Sequence, residues 1–109
     1  MTRQDLNIWA ARIEGWEETA IGSQCRRWTK NYSVRYEDNL PDLCNSIILS
    51  LNFAIQHLFH WEVKHEILDH MPTLTATVWT GDRAYSATGG TEDFAYLLML
   101  AHYKAMEDK

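Results

Sequence analysis

The sequence predicts an α+β protein in which helices pack on a three-stranded antiparallel sheet, in the order α-α-β-β-β-α. Three observations lead to this prediction. Apolar residues recur at helical spacing in three segments, one near each end of the chain and one in its middle. A stretch of alternating apolar and polar residues follows the middle segment. Turn-forming residues interrupt this stretch twice, which divides it into three strands. The same order of elements also fits an α/β/α layered sandwich.

Length and charge restrict the possible partners. The 109 residues suffice for one domain, and we expect a single α+β domain over residues 1–109. Ten basic and fifteen acidic side chains give a net charge of −5, which argues against nucleic acid or an anionic membrane as partner. The chain shows no signal-peptide pattern and no run of about 20 apolar residues. We therefore expect a cytoplasmic protein.

The first helix is predicted near the N-terminus, where apolar residues share one helical face. These residues are Leu6, Trp9, Ala10, Ile13 and Trp16. Residues 17–38 are less regular, and four of their apolar side chains alternate only loosely. These are Trp28, Tyr32, Val34 and Tyr36. This segment fits either a short edge strand or an ordered loop with aromatic anchors.

The second helix is predicted to begin at Asn39, a suitable N-cap residue, with Pro41 in its first turn. Its main apolar face is expected to be buried. That face consists of Leu43, Cys44, Ile47, Ile48, Leu51, Ile55 and Leu58.

Three strands and a last helix complete the chain. In the first strand, Trp61, Val63, His65 and Ile67 share the side that is expected to be buried. After a turn at residues 69–72, the second strand is predicted at 73–79 and the third at about 84–88, which together form an antiparallel meander. Thr91 is the predicted N-cap of the last helix.

Two of the helices carry apolar residues on two sides, and one small sheet covers only one side of each. The second side is either packed against another helix or used to bind a protein partner, with a homodimer as the simplest case. The candidate partner-binding residues are Tyr96, Met99, Leu100 and Tyr103, followed by Leu49 and Phe53.

Four histidines lie close together in the sequence and provide an alternative function. They are His57, His60, His65 and His70. Their spacing matches no recognised zinc pattern, but imidazole is a common zinc ligand. A histidine-based metal-binding protein or metal-dependent enzyme is therefore the alternative. Because the sequence holds no complete catalytic signature, we expect no enzymatic activity and no cofactor.

Three segments resemble the phage ABA-sandwich domain family, which consists of small phage and prophage proteins of about this length. They are the first helix ending in Gly15-Trp16, the Tyr32-Ser33 pair before a long amphipathic helix, and the run from Tyr85 to Ala95. The resemblance implies helix–sheet–helix layering and a phage or prophage origin, and it implies no catalytic residues. We therefore expect a non-enzymatic protein that acts by protein–protein binding, including inhibition of a host factor, or as a homodimer.

Overall fold

The computed structural model describes residues 1–19, 26–57 and 59–108. It contains helices and two three-stranded antiparallel sheets, which confirms the α+β class. The expectation of one sheet is wrong, because the irregular segment before residue 37 contributes a sheet of its own. The chain forms two compact units, Met1–Asp42 and Leu43–Lys109. A single domain over the whole chain stays a prediction.

The first unit begins with helix α1, Arg3–Ile13. Thr2 caps it, since its hydroxyl accepts a hydrogen bond from the Asp5 N–H at 3.0 Å. The Asp5 carboxylate accepts the Thr2 N–H at 3.1 Å in return. This reciprocal capping box satisfies backbone donors that have no partner within the helix and fixes where α1 begins.

A left-handed glycine ends α1. Gly15 has φ of 99°, a conformation that a side chain disfavours. The following Trp16 N–H donates to the Ala11 carbonyl at 2.9 Å, which closes a Schellman motif. The chain is thereby turned back so that the Trp16 ring packs with Ala11, Trp28 and Leu40 in the core of this unit.

The sheet of the first unit has the order β1-β2-β3. Its strands are β1 Glu17–Glu18, β2 Arg27–Lys30 and β3 Ser33–Tyr36. Trp28 on β2 is fully buried, but β3 is exposed along its whole length. The segment therefore forms strands, which was one of the two interpretations. Of its four alternating apolar residues, only Trp28 is buried in the core.

The sheet of the second unit is the predicted meander, in the order β4-β5-β6. Its strands are β4 His60–Leu68, β5 Met71–Thr80 and β6 Arg83–Gly89. A two-residue turn of Asp69 and His70, with φ of 51° and 65°, joins β4 to β5. The turn is therefore shorter than predicted, and β5 begins at Met71.

Helix α2 spans Ile47–Gln56 and begins later than predicted. Its N-cap is Ser46, whose hydroxyl accepts a backbone N–H three residues on at 3.2 Å. Asn39 instead ends a separate short 3₁₀ turn. Leu40 is extended, as residues that precede a proline tend to be, so a helix cannot continue through Pro41.

Helix α3 spans Phe94–Glu107 and follows a 3₁₀ turn at Thr91–Asp93. Its N-cap position is Asp93, so the prediction of Thr91 is wrong by two residues. Helix α3 packs on β5 and β6 and also contacts α2. The buried core between α3 and the sheet consists of Leu74, Ala76, Val78, Ala87, Leu97, Ala101 and Ala105. Within the described ranges, the helices are too short or too polar to cross a membrane.

Candidate protein-binding site

The exposed side of α2 carries three isoleucines beside the exposed polar residues Asn52 and Gln56. Ile48 and Ile55 are 72% and 68% exposed, and Ile47 is 54% exposed. Leu51 is half-buried between them. We call Ile47, Ile48, Leu51 and Ile55 the α2 face. Single exposed apolar residues are common in monomeric proteins, whereas large contiguous apolar patches are characteristic of interaction sites.

The α2 face lies in a segment without charge. The 17 residues from Leu43 to Phe59 include no Asp, Glu, Lys or Arg, whereas the whole chain is 23% charged. A solvated helix normally carries charged residues on its outer side. Depletion of charge at an apolar patch is instead typical of the core of a protein interface.

The other side of α2 is buried against α3. It consists of Ser50, Phe53 and Ala54. The Ser50 hydroxyl donates to the Ile47 carbonyl at 2.9 Å, so this buried polar group is satisfied within its own helix. The Phe53 ring meets the buried imidazole of His102 on α3. This side therefore anchors α2 and leaves the isoleucines facing outward.

The orientation of α2 is a correction to the sequence analysis. The residues expected to be buried include Ile47, Ile48 and Ile55, and all three are exposed. Leu43 and Cys44 are buried but precede the helix, and Leu58 lies outside the described residues. The Phe53 ring packs on His102 of α3, and this contact places the neighbouring Ser50 and Ala54 on the buried side of α2. The isoleucines therefore lie on the other side.

The six predicted partner-binding residues have different surroundings. Met99 and Phe53 are fully buried within the chain, so they form no part of its surface. Tyr96, Leu100 and Tyr103 are half-buried. Tyr96 and Leu100 pack against the core between α3 and the sheet. Leu49 is 38% exposed on α2 and is not part of the α2 face. Internal packing thus accounts for Met99 and Phe53.

A buried histidine lies at the contact of α2 and α3. His102 Nδ1 donates to the Leu98 carbonyl at 2.9 Å, and its Nε2 has no hydrogen-bond partner among the described residues. Burial lowers the pKa of His102, and nearby His57 lowers it further, although the bond to Leu98 opposes this shift. The His57 ring also packs on Phe53, with centroids 4.4 Å apart. Burial at this contact therefore favours the neutral form of the imidazole.

The predicted metal-binding histidines are spread along the second unit. His57 ends α2, His60 and His65 lie on β4 with side chains on opposite faces, and His70 is in the β4–β5 turn. The five residue steps from His60 to His65 correspond to about 16 Å of extended strand. Across the described parts of the chain, no three His, Cys, Asp or Glu side chains are grouped to hold a metal ion. The geometry thus gives no support to the alternative function.

Hydrogen bonds between polar side chains connect the C-terminal end of α3 to β6. Asp108 accepts a 3.0 Å hydrogen bond from Arg83 and a hydrogen bond from the Tyr85 hydroxyl. The bond from Tyr85 and then the bond from Arg83 lower the pKa of Asp108. Lys104 on α3 donates to the Ser86 carbonyl of β6 at 2.8 Å. These groups are paired with one another, and we assign them a structural role.

Comparisons with protein-family models, curated proteins and solved structures find no match to this chain.

Proposed function

We propose that this protein is a non-enzymatic binding protein that contacts another protein through the α2 face. One observation carries the proposal: an uncharged helix is anchored on one side by Phe53 and directs its isoleucines to solvent on the other. This arrangement leaves aliphatic surface exposed to water, and the binding of a partner would bury that surface.

The gain from covering the α2 face is sufficient for recognition. Complete burial of an isoleucine side chain contributes about 1.5–3 kcal/mol. Ile48 and Ile55 each retain about two thirds of their surface, so each would gain about 1–2 kcal/mol on contact. Residues with such gains at the centre of an apolar patch dominate binding energies.

On the resemblance to phage ABA-sandwich proteins alone, we further propose a phage or prophage origin and a site of action in the bacterial cytoplasm. In that setting the partner is a second copy of the chain or a host protein that the binding inhibits.

The test compares the same substitution at three exposed isoleucines. Immobilised protein is offered a differently tagged copy of itself and, separately, a bacterial lysate. We expect Ile48→Asp and Ile55→Asp to lower retention of at least one binder tenfold or more. Ile67→Asp, at a residue that is 69% exposed on β4, serves as the matched control and should leave retention unchanged. Retention that is equal for all three variants would overturn the proposal.

A further inference from the structure

We infer that the α2 face binds a second copy of the same chain, with the two α2 helices antiparallel across a two-fold axis. This inference rests on the proposed function and names its partner. Three properties of the described residues support it: the charge of the face, the spacing of its side chains, and the direction of the helix.

The charge of the face favours self-association. With a net charge of −5, two copies repel each other over most of their surfaces. The segment from Leu43 to Phe59 is the place where two copies meet without placing like charges in contact. A surface that selects a foreign partner generally offers charges that match it, and the α2 face offers none.

The side-chain spacing fits a helix pair. Ile48, Leu51 and Ile55 occur at i, i+3 and i+7, which is the pattern of a short coiled-coil seam. The midpoint of positions 48 and 55 falls between Leu51 and Asn52. A two-fold axis at this midpoint places Ile48 opposite Ile55 of the partner subunit and brings the two Leu51 side chains together.

The direction of the helices follows from their dipoles. Each α2 carries partial positive charge at its N-terminus and partial negative charge at its C-terminus. In an antiparallel pair each terminus lies beside the opposite terminus of the partner, so the dipoles attract. A parallel pair would place like termini together, and no charged side chain within α2 offsets that repulsion.

The size of the face sets the strength of the dimer. Stable complexes bury about 800 Å² on each partner, and ten helical residues extend over only about 15 Å. We therefore expect a dimer that dissociates on dilution through the micromolar range.

The test uses cysteine pairs with the native cysteines retained. Under mild oxidation, an equimolar mixture of Ile48→Cys and Ile55→Cys proteins should yield at least ten times more disulfide-linked dimer than either variant alone. Ile67→Cys is the matched control for background from the native cysteines. Its dimer yield should equal that of wild type.

Two results would overturn the inference. If each single variant cross-links with itself as well as the mixture does, the antiparallel arrangement is wrong. The partner is not a second copy if two results are found together. The mixture gives no more dimer than Ile67→Cys, and wild type stays monomeric by light scattering up to about 1 mM, the upper end of the concentration range in which weak complexes form. Retention of a lysate protein that depends on Ile48 would then leave the proposed function standing with a different partner.

Discussion

The rings of Phe53 on α2 and His102 on α3 meet edge to face, with centroids 5.9 Å apart and planes at 87°. Edge-to-face contacts of this kind add stability beyond the area that they bury. The Phe59 ring lies 6.4 Å from the same imidazole, so His102 is enclosed by aromatic rings. The position of α2, and with it the exposure of Ile48 and Ile55, is therefore held by the contact between Phe53 and His102.

We expect the free energy of unfolding to fall as the pH is lowered below about 6.5. His102 binds a proton near pH 6.5 in the unfolded chain but only at lower pH in the folded one, because burial lowers its pKa. Its contribution is complete above pH 6.5 and is lost as the pH falls toward the folded-state pKa. The slope is at most about 1.4 kcal/mol per pH unit for this group. Urea unfolding between pH 7.5 and 5.5 measures it.

The variant His102→Leu separates this effect from other titrations. It should be close to wild type in stability at pH 7.5 and lose less stability on acidification. Part of the slope should remain, because burial also lowers the pKa of His57. An unchanged slope in His102→Leu would show that His102 does not control the acid response.

The two sides of α2 should differ sharply in their contribution to stability. Phe53 is fully buried, and Phe53→Ala should lower the free energy of unfolding by about 3–5 kcal/mol. Ile48 is exposed, and Ile48→Ala should change it by no more than about 0.5 kcal/mol at concentrations where the chain is monomeric. Urea unfolding followed by circular dichroism gives both values. Similar losses for the two variants would mean that the helix is rotated from the orientation described above.

The turn between β4 and β5 offers a stabilising substitution. His70 has φ of 65°, which glycine adopts without steric cost, and Asp-Gly is a preferred pair for such a turn. His70→Gly should raise the free energy of unfolding by about 0.5–1 kcal/mol. The matched control is His65→Gly in the middle of β4, which should lower it by a similar amount. A loss of stability in His70→Gly would contradict the turn geometry.

Disrupting the capping box of α1 should lower the stability of the first unit. Thr2→Ala removes the hydroxyl that accepts the Asp5 N–H and should cost about 1 kcal/mol. Thr2→Ser keeps that hydroxyl and should stay close to wild type. Thermal unfolding followed by circular dichroism compares the two variants. Equal melting temperatures for Ala and Ser at this position would show that the cap contributes nothing.

The second sheet could be predicted from the sequence because its alternation and its turns agree. The alternation from Trp61 to Thr88 predicts the strands, and the register places Val63 opposite Ala76 on the buried face. The expectation that His65 and Ile67 are buried on that side is wrong, because both are exposed near the far end of β4. Pro72 was expected in a turn but lies within β5. β6 pairs with β5 only as far as Leu74, so Pro72 lies beyond that pairing, at an edge of the sheet where a proline is tolerated. The first sheet was harder to predict, because Arg27–Lys30 and Ser33–Tyr36 are only four residues each.

The candidate site could not be predicted from periodicity, because large apolar residues occur on more than one side of α2. Counting large aliphatic residues favours Ile48 and Ile55 as the buried side. The structure buries Phe53 together with Ser50 and Ala54 instead, because the Phe53 ring packs on His102 of α3. This tertiary contact, rather than the number of aliphatic residues, therefore determines which face remains exposed.

The most direct test of the α2 face is a methyl spectrum of isoleucine-labelled protein recorded over a dilution series. Ile48 and Ile55 should shift progressively with concentration, because the second copy covers them. Ile13 and Ile67, also exposed but outside α2, should not shift. Methyl signals of Ile48 and Ile55 that stay fixed from the micromolar to the millimolar range, or that move no more than those of Ile13 and Ile67, would contradict self-association through α2.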